Sequence, residues 1–162
     1  MSDQTIIPVL SARSLTKRFR SFTAVDDVSF DLAPGESVGL VGESGSGKST
    51  TARMLVGLET PSDGAVFIHG LPASSQSKRD LSHAIQMIFQ DPYHSFDPRL
   101  TIGQAIEEPL RLHFTMGRAE LRGRVAELLD QVGLSARQAQ SRPRGLSGGQ
   151  RQRAAIARAL GI

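Results

Sequence analysis

Apolar and polar residues alternate in short runs over roughly the first 100 residues, and the pattern then switches to a helical period. Val28-Ser29-Phe30-Asp31-Leu32 alternates as a half-exposed strand does, and Pro34-Gly35 follows as a turn pair. Ser37–Val41 is a short apolar run with the pattern of a buried strand. Ala65–Ile68 and Ile85–Phe89 read as further strands. Ser49–Leu58 predicts a helix stopped by the turn cluster Thr60-Pro61-Ser62-Asp63-Gly64. Pro72–Ser82 is polar and Ser-rich, which predicts a surface loop or a short exposed helix. Farther on, Leu121, Val125, Leu128, Leu129 and Val132 share one helical face, with Gly133 as the stop. Ser147 reads as the N-cap of a helix that runs through Leu160.

The chain has 162 residues, which fits one ordinary domain. Its 39% hydrophobic and 22% charged residues exclude a disordered tail. No run approaches the ~18 apolar residues of a membrane-spanning helix. The absence of Cys excludes disulfides, thiolate metal sites and thiol catalysis, and suits a reducing compartment. Met1 to Thr5 lacks the positive region of a signal peptide and Pro8 cuts the apolar stretch after it, so the protein is expected to stay on the side of the membrane where it was made. Charge is uneven: residues 1–110 carry nine basic and 13 acidic groups (net −4), and residues 111–162 carry ten basic and three acidic (net +7). All ten of those basic residues are Arg. Nucleic acid or an anionic membrane would suit such a half, but a solvated helical face needs no partner.

Gly42-Glu43-Ser44-Gly45-Ser46-Gly47-Lys48-Ser49 matches G-x-x-x-x-G-K-[ST]. An apolar run enters it and a helical run, beginning Ser49-Thr50, leaves it, as that pattern requires. In such a turn successive backbone N–H groups line a concavity for anionic oxygens, and the helix start adds unpaired donors. Lys48 would place a full positive charge at the β/γ-phosphates, and the Ser49 hydroxyl is positioned to ligate Mg²⁺. A second segment, Leu146-Ser147-Gly148-Gly149-Gln150-Arg151-Gln152-Arg153, is again a hydroxyl-capped helix start with two glycines.

Together these motifs resemble the ATP-binding subunit of ABC transporters, whose signature is Leu-Ser-Gly-Gly-Gln, here Leu146 to Gln150. The resemblance runs along almost the entire chain and implies an α/β P-loop fold of the ABC type: a mixed sheet core, an antiparallel N-terminal sheet beginning near Ala24–Phe30, and a helical subdomain. On that basis residues 1–90 are expected to form the core and antiparallel sheet, 91–150 the glutamine loop and helical subdomain, and 151–162 the signature helix. The resemblance implies ATP and Mg²⁺ as ligands, with Gly42 to Thr50 holding the nucleotide in cis and Ser147, Gly148, Gly149 and Gln150 acting in trans from a second subunit in a head-to-tail pair. Ile88-Phe89-Gln90-Asp91-Pro92 looks like the family's glutamine loop, so Gln90 would help hold Mg²⁺ and position water. Phe19, 29 residues before Lys48, stands where the family has an aromatic that stacks on adenine.

The stretch from Phe89 to Arg99 looks most like importers of oligopeptides, dipeptides, nickel or glutathione. By the same resemblance, membrane permease subunits would dock near Asp91 to Arg99, with Tyr93 and Phe96 either as apolar contacts or as local packing of the loop. The subunit would be peripheral, on the cytoplasmic face of the membrane, and an extracytoplasmic solute-binding protein would act indirectly. The family's Mg²⁺-binding Asp, water-activating Glu and switch His fall after the signature helix; His69, His83, His94 and His113 all precede it. The chain is therefore expected to be a piece of the cassette, with an exposed sheet edge and little ATP hydrolysis alone. Two alternatives stand beside the importer reading: a soluble ABC-type ATPase acting on nucleic acid or ribosomes, and an inactive fragment. No long heptad run supports the first, so no nucleic-acid partner is expected.

Overall fold

The structure is a computed structural model that describes residues 7–91 and 95–162. It divides into two compact units, residues up to Ile85 and Gln86–Ile162.

In the first unit, β1 (Leu10–Phe19) and β2 (Phe22–Leu32) form an antiparallel hairpin, β3 (Asp63–Ile68) pairs with the other side of β1, and β4 (Leu71–Pro72) closes the order β2-β1-β3-β4. The hairpin is irregular, with register shifts after Ala12 and after Leu15. Side chains patch the interrupted ladder: the Ser14 N–H donates to Ser29 Oγ (2.7 Å) and the Asp27 N–H to Thr16 Oγ1 (3.1 Å). One face buries Leu10, Ala12, Leu15, Val25, Val66 and Ile68 against Met54 of helix α1 (Lys48–Leu55). That helix stops earlier than the turn cluster at Thr60 would have it. Gly57 adopts φ +73° and its N–H closes on Met54 O (3.1 Å), a left-handed turn that glycine enters without a Cβ penalty. Helix α2 (Lys78–Ala84), capped by Ser77, fulfils the short-helix expectation for the Ser-rich segment.

Two apolar runs expected as strands form no ladder among the described residues. Residues 37–41 belong to no helix or strand, and Val38, Leu40 and Val41 are 50%, 46% and 90% exposed. The run from Ile85 to Phe89 joins no strand ladder either: the Ile85 N–H closes helix α2 on Leu81 O (3.0 Å), and Ile88 and Phe89 face solvent. Alternation and hydrophobicity nominate a strand, but only a neighbouring strand supplies partners for its N–H and C=O groups.

The second unit is helical: α3 (Ile102–His113), α4 (Arg118–Gln131) and α5 (Gly148–Ala159), with short 3-10 turns at Ala136–Gln140 and Pro143–Gly145. Ile102, Ala105, Ile106 and Leu110 of α3 meet Leu121, Val125, Leu128 and Leu129 of α4 in one core. Helix α5 contributes Ala154, Ala155 and Ala157, small residues that let its backbone approach. Helix α4 fulfils its predicted face and ends before Gly133. Helix α3 begins with a Thr101–Gln104 capping box and contains Pro109.

Leu128 is fully buried at the centre of this core, so Leu128→Ala should cost about 2–5 kcal/mol of the unit's stability, read as a lower urea midpoint. A loss below about 0.5 kcal/mol, typical of surface substitutions, would contradict the packing described.

Candidate functional site

Residues 42–46 form an exposed turn that runs directly into α1. Its end is fixed by Gly47, which takes φ +90° and lies so close to the β2 strand that an added Cβ would stand 2.2 Å from the Ala24 carbonyl oxygen. Only glycine fits there, and the close approach pins the loop to the sheet. The first intrahelical bond runs from the Thr51 N–H to Gly47 O (2.8 Å), so the amides of Lys48, Ser49 and Thr50 precede the helical ladder. The Thr51 hydroxyl donates to the same carbonyl (3.1 Å) and tightens that turn.

Lys48 folds back across the loop. Its Nζ donates to the carbonyls of Gly42 (2.7 Å) and Glu43 (2.5 Å) and approaches Ser46 Oγ (3.4 Å). An ammonium is thus held in the concavity that Gly42, Glu43, Ser44, Gly45 and Ser46 surround. With a helix start beside it, the turn is receptive to a polyanion. Ser49, in the first turn of α1, is exposed and has a hydroxyl available for a cation. No side chain caps this helix, and no acidic residue occupies its first turn, so nothing on α1 competes with an anionic ligand there.

Phe19 sits at the tip of the β1–β2 hairpin, directly paired with Phe22, and is 44% exposed. It is not a core residue, which leaves its ring available for stacking. The Lys17 ammonium lies 5.0 Å from its ring centroid and is itself held by Glu59 (2.5 Å) and the Thr60 carbonyl (2.7 Å).

Gln90 and the signature belong to the second unit. Gln90 lies exposed in a bend rather than at the end of a strand, because the run before it has no ladder. Asp91 is exposed too; Pro92, Tyr93 and His94, part of the proposed docking stretch, lie outside the described residues. Phe96, for which a permease contact and local packing were both open, is buried in the helical core.

Ser147 caps α5: its Oγ accepts from the Gln150 N–H (3.3 Å) while Gln150 Oε1 accepts from the Ser147 N–H (2.9 Å). The Gln150 carboxamide therefore orients the helix start. Gly148 and Gly149 are exposed, and a Cβ added at either would meet nothing, so ligand access rather than internal packing is what their size leaves open.

Sequence patterning did not show how the Arg residues are used. Three on α5 turn toward backbone carbonyls. Arg151 donates to Leu146 O (2.6 Å) and Pro143 O (3.2 Å), Arg153 to Gly133 O (2.8 Å) and Val132 O (3.3 Å), and Arg158 to Ser95 O (2.6 Å). Arg111 and Arg124 pair with Glu107 (2.8 Å) and Glu127 (3.2 Å). With Arg122, whose Nε donates to Arg118 O (3.4 Å), at least six of the ten Arg in residues 111–162 make intramolecular bonds, so less of the basic excess than the composition implies is left to a partner. The i, i+2, i+7 spacing on one helix was the available signal, but it does not distinguish an inward Arg from a solvated one.

A glycine turn leading into a helix that begins with Lys, followed by a hydroxyl-capped Ser-Gly-Gly helix start, defines a P-loop nucleotide cassette. Residues 25–161 match the family model described as ABC transporter, and the chain belongs to that family. It is 48% identical to the glutathione import ATP-binding protein GsiA of Escherichia coli O6:H1 and 47% identical to that of strain K12, in each case over 96% of this chain and 27% of the relative. The chain thus spans about a quarter of the length of these curated relatives. Its fold matches the ATP-binding cassette MJ0796, solved as a dimer bound to ADP and Pi (TM-score 0.84, 33% identity, 94% of this chain and 69% of that one). It also matches cbiO1 from Clostridium perfringens, part of the ABC transporter complex cbiONQ (TM-score 0.79, 25% identity, 95% and 61%). The antiparallel sheet and helical unit are those of an ABC cassette, as the sequence motifs imply.

Next to the glutamine segment, Arg99 donates to Asp97 through Nη2 (2.8 Å), Nε and the backbone N–H, and these bonds hold the Asp97 carboxyl down to about 2. A depressed carboxyl pKa gives stabilisation that is present above the ordinary value of 3.8 and is lost as pH falls through about 2. Carbon-13 NMR should find Asp97 titrating near 2, returning toward 3.8 in Arg99→Ala. Equal midpoints in the two proteins would refute the pairing.

Proposed function

We propose that this chain is the nucleotide-binding portion of an ABC importer's ATP-driven subunit, binding and hydrolysing ATP to power uptake of a glutathione- or peptide-like solute. The observation that carries the reading is the Lys48 ammonium clasped by the Gly42 and Glu43 carbonyls in front of the open start of α1. The name of the GsiA relatives supports the solute class, and the dimeric MJ0796 cassette with ADP and Pi supports ATP as substrate and a paired assembly.

In this reading the amides of residues 43–50 and the Lys48 ammonium bind the β- and γ-phosphates. Each hydrogen bond to a charged oxygen contributes roughly 1.5–3 kcal/mol. Phe19 stacks on the base. The Ser49 hydroxyl, a neutral oxygen donor, fits a hard cation that keeps its other positions for water and phosphate. Bound Mg²⁺ would neutralise charge developing on the transferred phosphoryl group. Ser147, Gly148 and Gly149, with Gln150 holding the helix start in place, offer the γ-phosphate of a second subunit's nucleotide a hydroxyl and free amides. Binding of ATP then joins two subunits head to tail, and hydrolysis of the terminal phosphoanhydride by water releases them. The surface near Asp91–Arg99 docks the permease, which places the subunit on the cytoplasmic membrane face. No helix among the described residues is long and apolar enough to cross a membrane.

Pairing in trans is directly testable, because this chain has no Cys to remove. Ser44→Cys and Gly148→Cys introduced into the full-length protein, in a background without other Cys, should be joined between subunits by a short bis-maleimide in MgATP and not without nucleotide. Cross-linking that ignores ATP, or that occurs only within one chain, would count against the head-to-tail arrangement.

A further inference from the structure

Arg158 makes contacts that neither nucleotide binding nor the signature requires. It stands in the last turn of α5, its guanidinium donates to Ser95 O (2.6 Å), and the same group lies 4.8 Å from the centroid of the Phe96 ring. One side chain thus grips two consecutive residues of the segment that follows the glutamine loop, by a charged hydrogen bond and by a cation–π contact. Arg158 is half-buried, and burial pulls its pKa below the usual guanidinium value, with Glu108 acting the other way. Where water is scarce such contacts are strong and intolerant of misalignment.

The gripped segment is stiff. Phe96 is buried, the Leu100 N–H closes on Asp97 O (3.2 Å), and Arg99 is bonded to Asp97, so the exposed part of the loop is braced onto an anchored part. Helix α5 is stiff as well: Ala154, Ala155 and Ala157 are packed in the core, and Arg151 and Arg153 tie its first half to the 143–146 and 132–133 carbonyls. Eleven residues separate Ser147 from Arg158, about 16 Å of continuous helix. A displacement of residues 95–99 therefore reaches the helix that carries Ser147 and Gly148 through a short, polar, removable link.

We infer that Arg158 is a positioning residue that couples the permease-facing segment 95–99 to the signature helix, so that movement of the membrane subunits sets the aim of Ser147–Gly149. This rests on the importer reading. Phe96 belongs to the same device: its ring is the inner face of the docking loop, held for the guanidinium rather than presented to the permease.

The test uses the full-length protein and the membrane subunits that copurify with it, reconstituted in lipid vesicles. Wild type, Arg158→Ala and Arg158→Lys are compared for MgATP affinity, for hydrolysis by the isolated protein, and for stimulation of hydrolysis by the membrane subunits. Arg158→Ala should lose about tenfold or more of that stimulation while affinity and isolated hydrolysis stay within about twofold, and Arg158→Lys should restore at least about half of it. A structural role alone would lower isolated and stimulated hydrolysis by the same factor, and that result overturns the inference, as does unchanged stimulation in Arg158→Ala. Wild-type protein that binds MgATP but copurifies with no membrane subunit overturns it too. Wild-type protein that binds no MgATP instead brings down the nucleotide reading on which it rests.

Discussion

The close approach of Gly47 to the Ala24 carbonyl fixes where helix α1 begins, and the chemistry of the first unit depends on where it begins. The contact leaves no room for a side chain, so the backbone turns left-handed and the helix opens toward the loop. Three amides then precede the helical ladder, and the ammonium of the first helical residue is held by two loop carbonyls. Each element is weak alone. A helix start offers partial charge, a turn offers donors, and a lysine offers a mobile cation. Their coincidence within seven residues gathers donors and a cation at one turn, with Met54, less than two helical turns on, holding the helix against the sheet.

The second unit solves a related problem differently. Its helix start is internally capped by Ser147 and Gln150 and relies on no Lys. Orientation comes from arginines: Arg151 and Arg153 fasten the helix to turns on either side, and Arg158 fastens its far end to the segment after the glutamine loop. Guanidinium groups suit this work because one planar fork bonds several carbonyls while its hydrocarbon stem packs against the helix. The charge asymmetry of the chain is in part the residue of this bracing.

What was legible in the sequence follows from locality. The phosphate turn, the capped helix after Ser147 and the α4 face are each specified within about a dozen residues, where spacing and caps act directly. Helix α3 was harder: Pro109 interrupts the pattern, although Thr101 and Gln104 already spell a capping box. β1 was obscured by Ser14, whose positive φ and bulge break its alternation. The runs at 37–41 and 85–89 show the opposite case, strand-like sequence without a ladder, since pairing is a property of two segments and one pattern can only nominate it. Of the candidate site, the loop and signature residues were readable from motif alone. The inward use of Arg158 and the burial of Phe96 were not, because charge and aromaticity do not reveal which way a side chain turns.

Isothermal calorimetry of the full-length, folded protein with MgATP tests the candidate phosphate turn most directly. One ATP should bind per copy of this site with measurable heat, and Lys48→Ala should weaken binding by roughly tenfold or more, the worth of one charged hydrogen bond. No heat from folded wild type at saturating MgATP, or equal affinity in the two proteins, would contradict it.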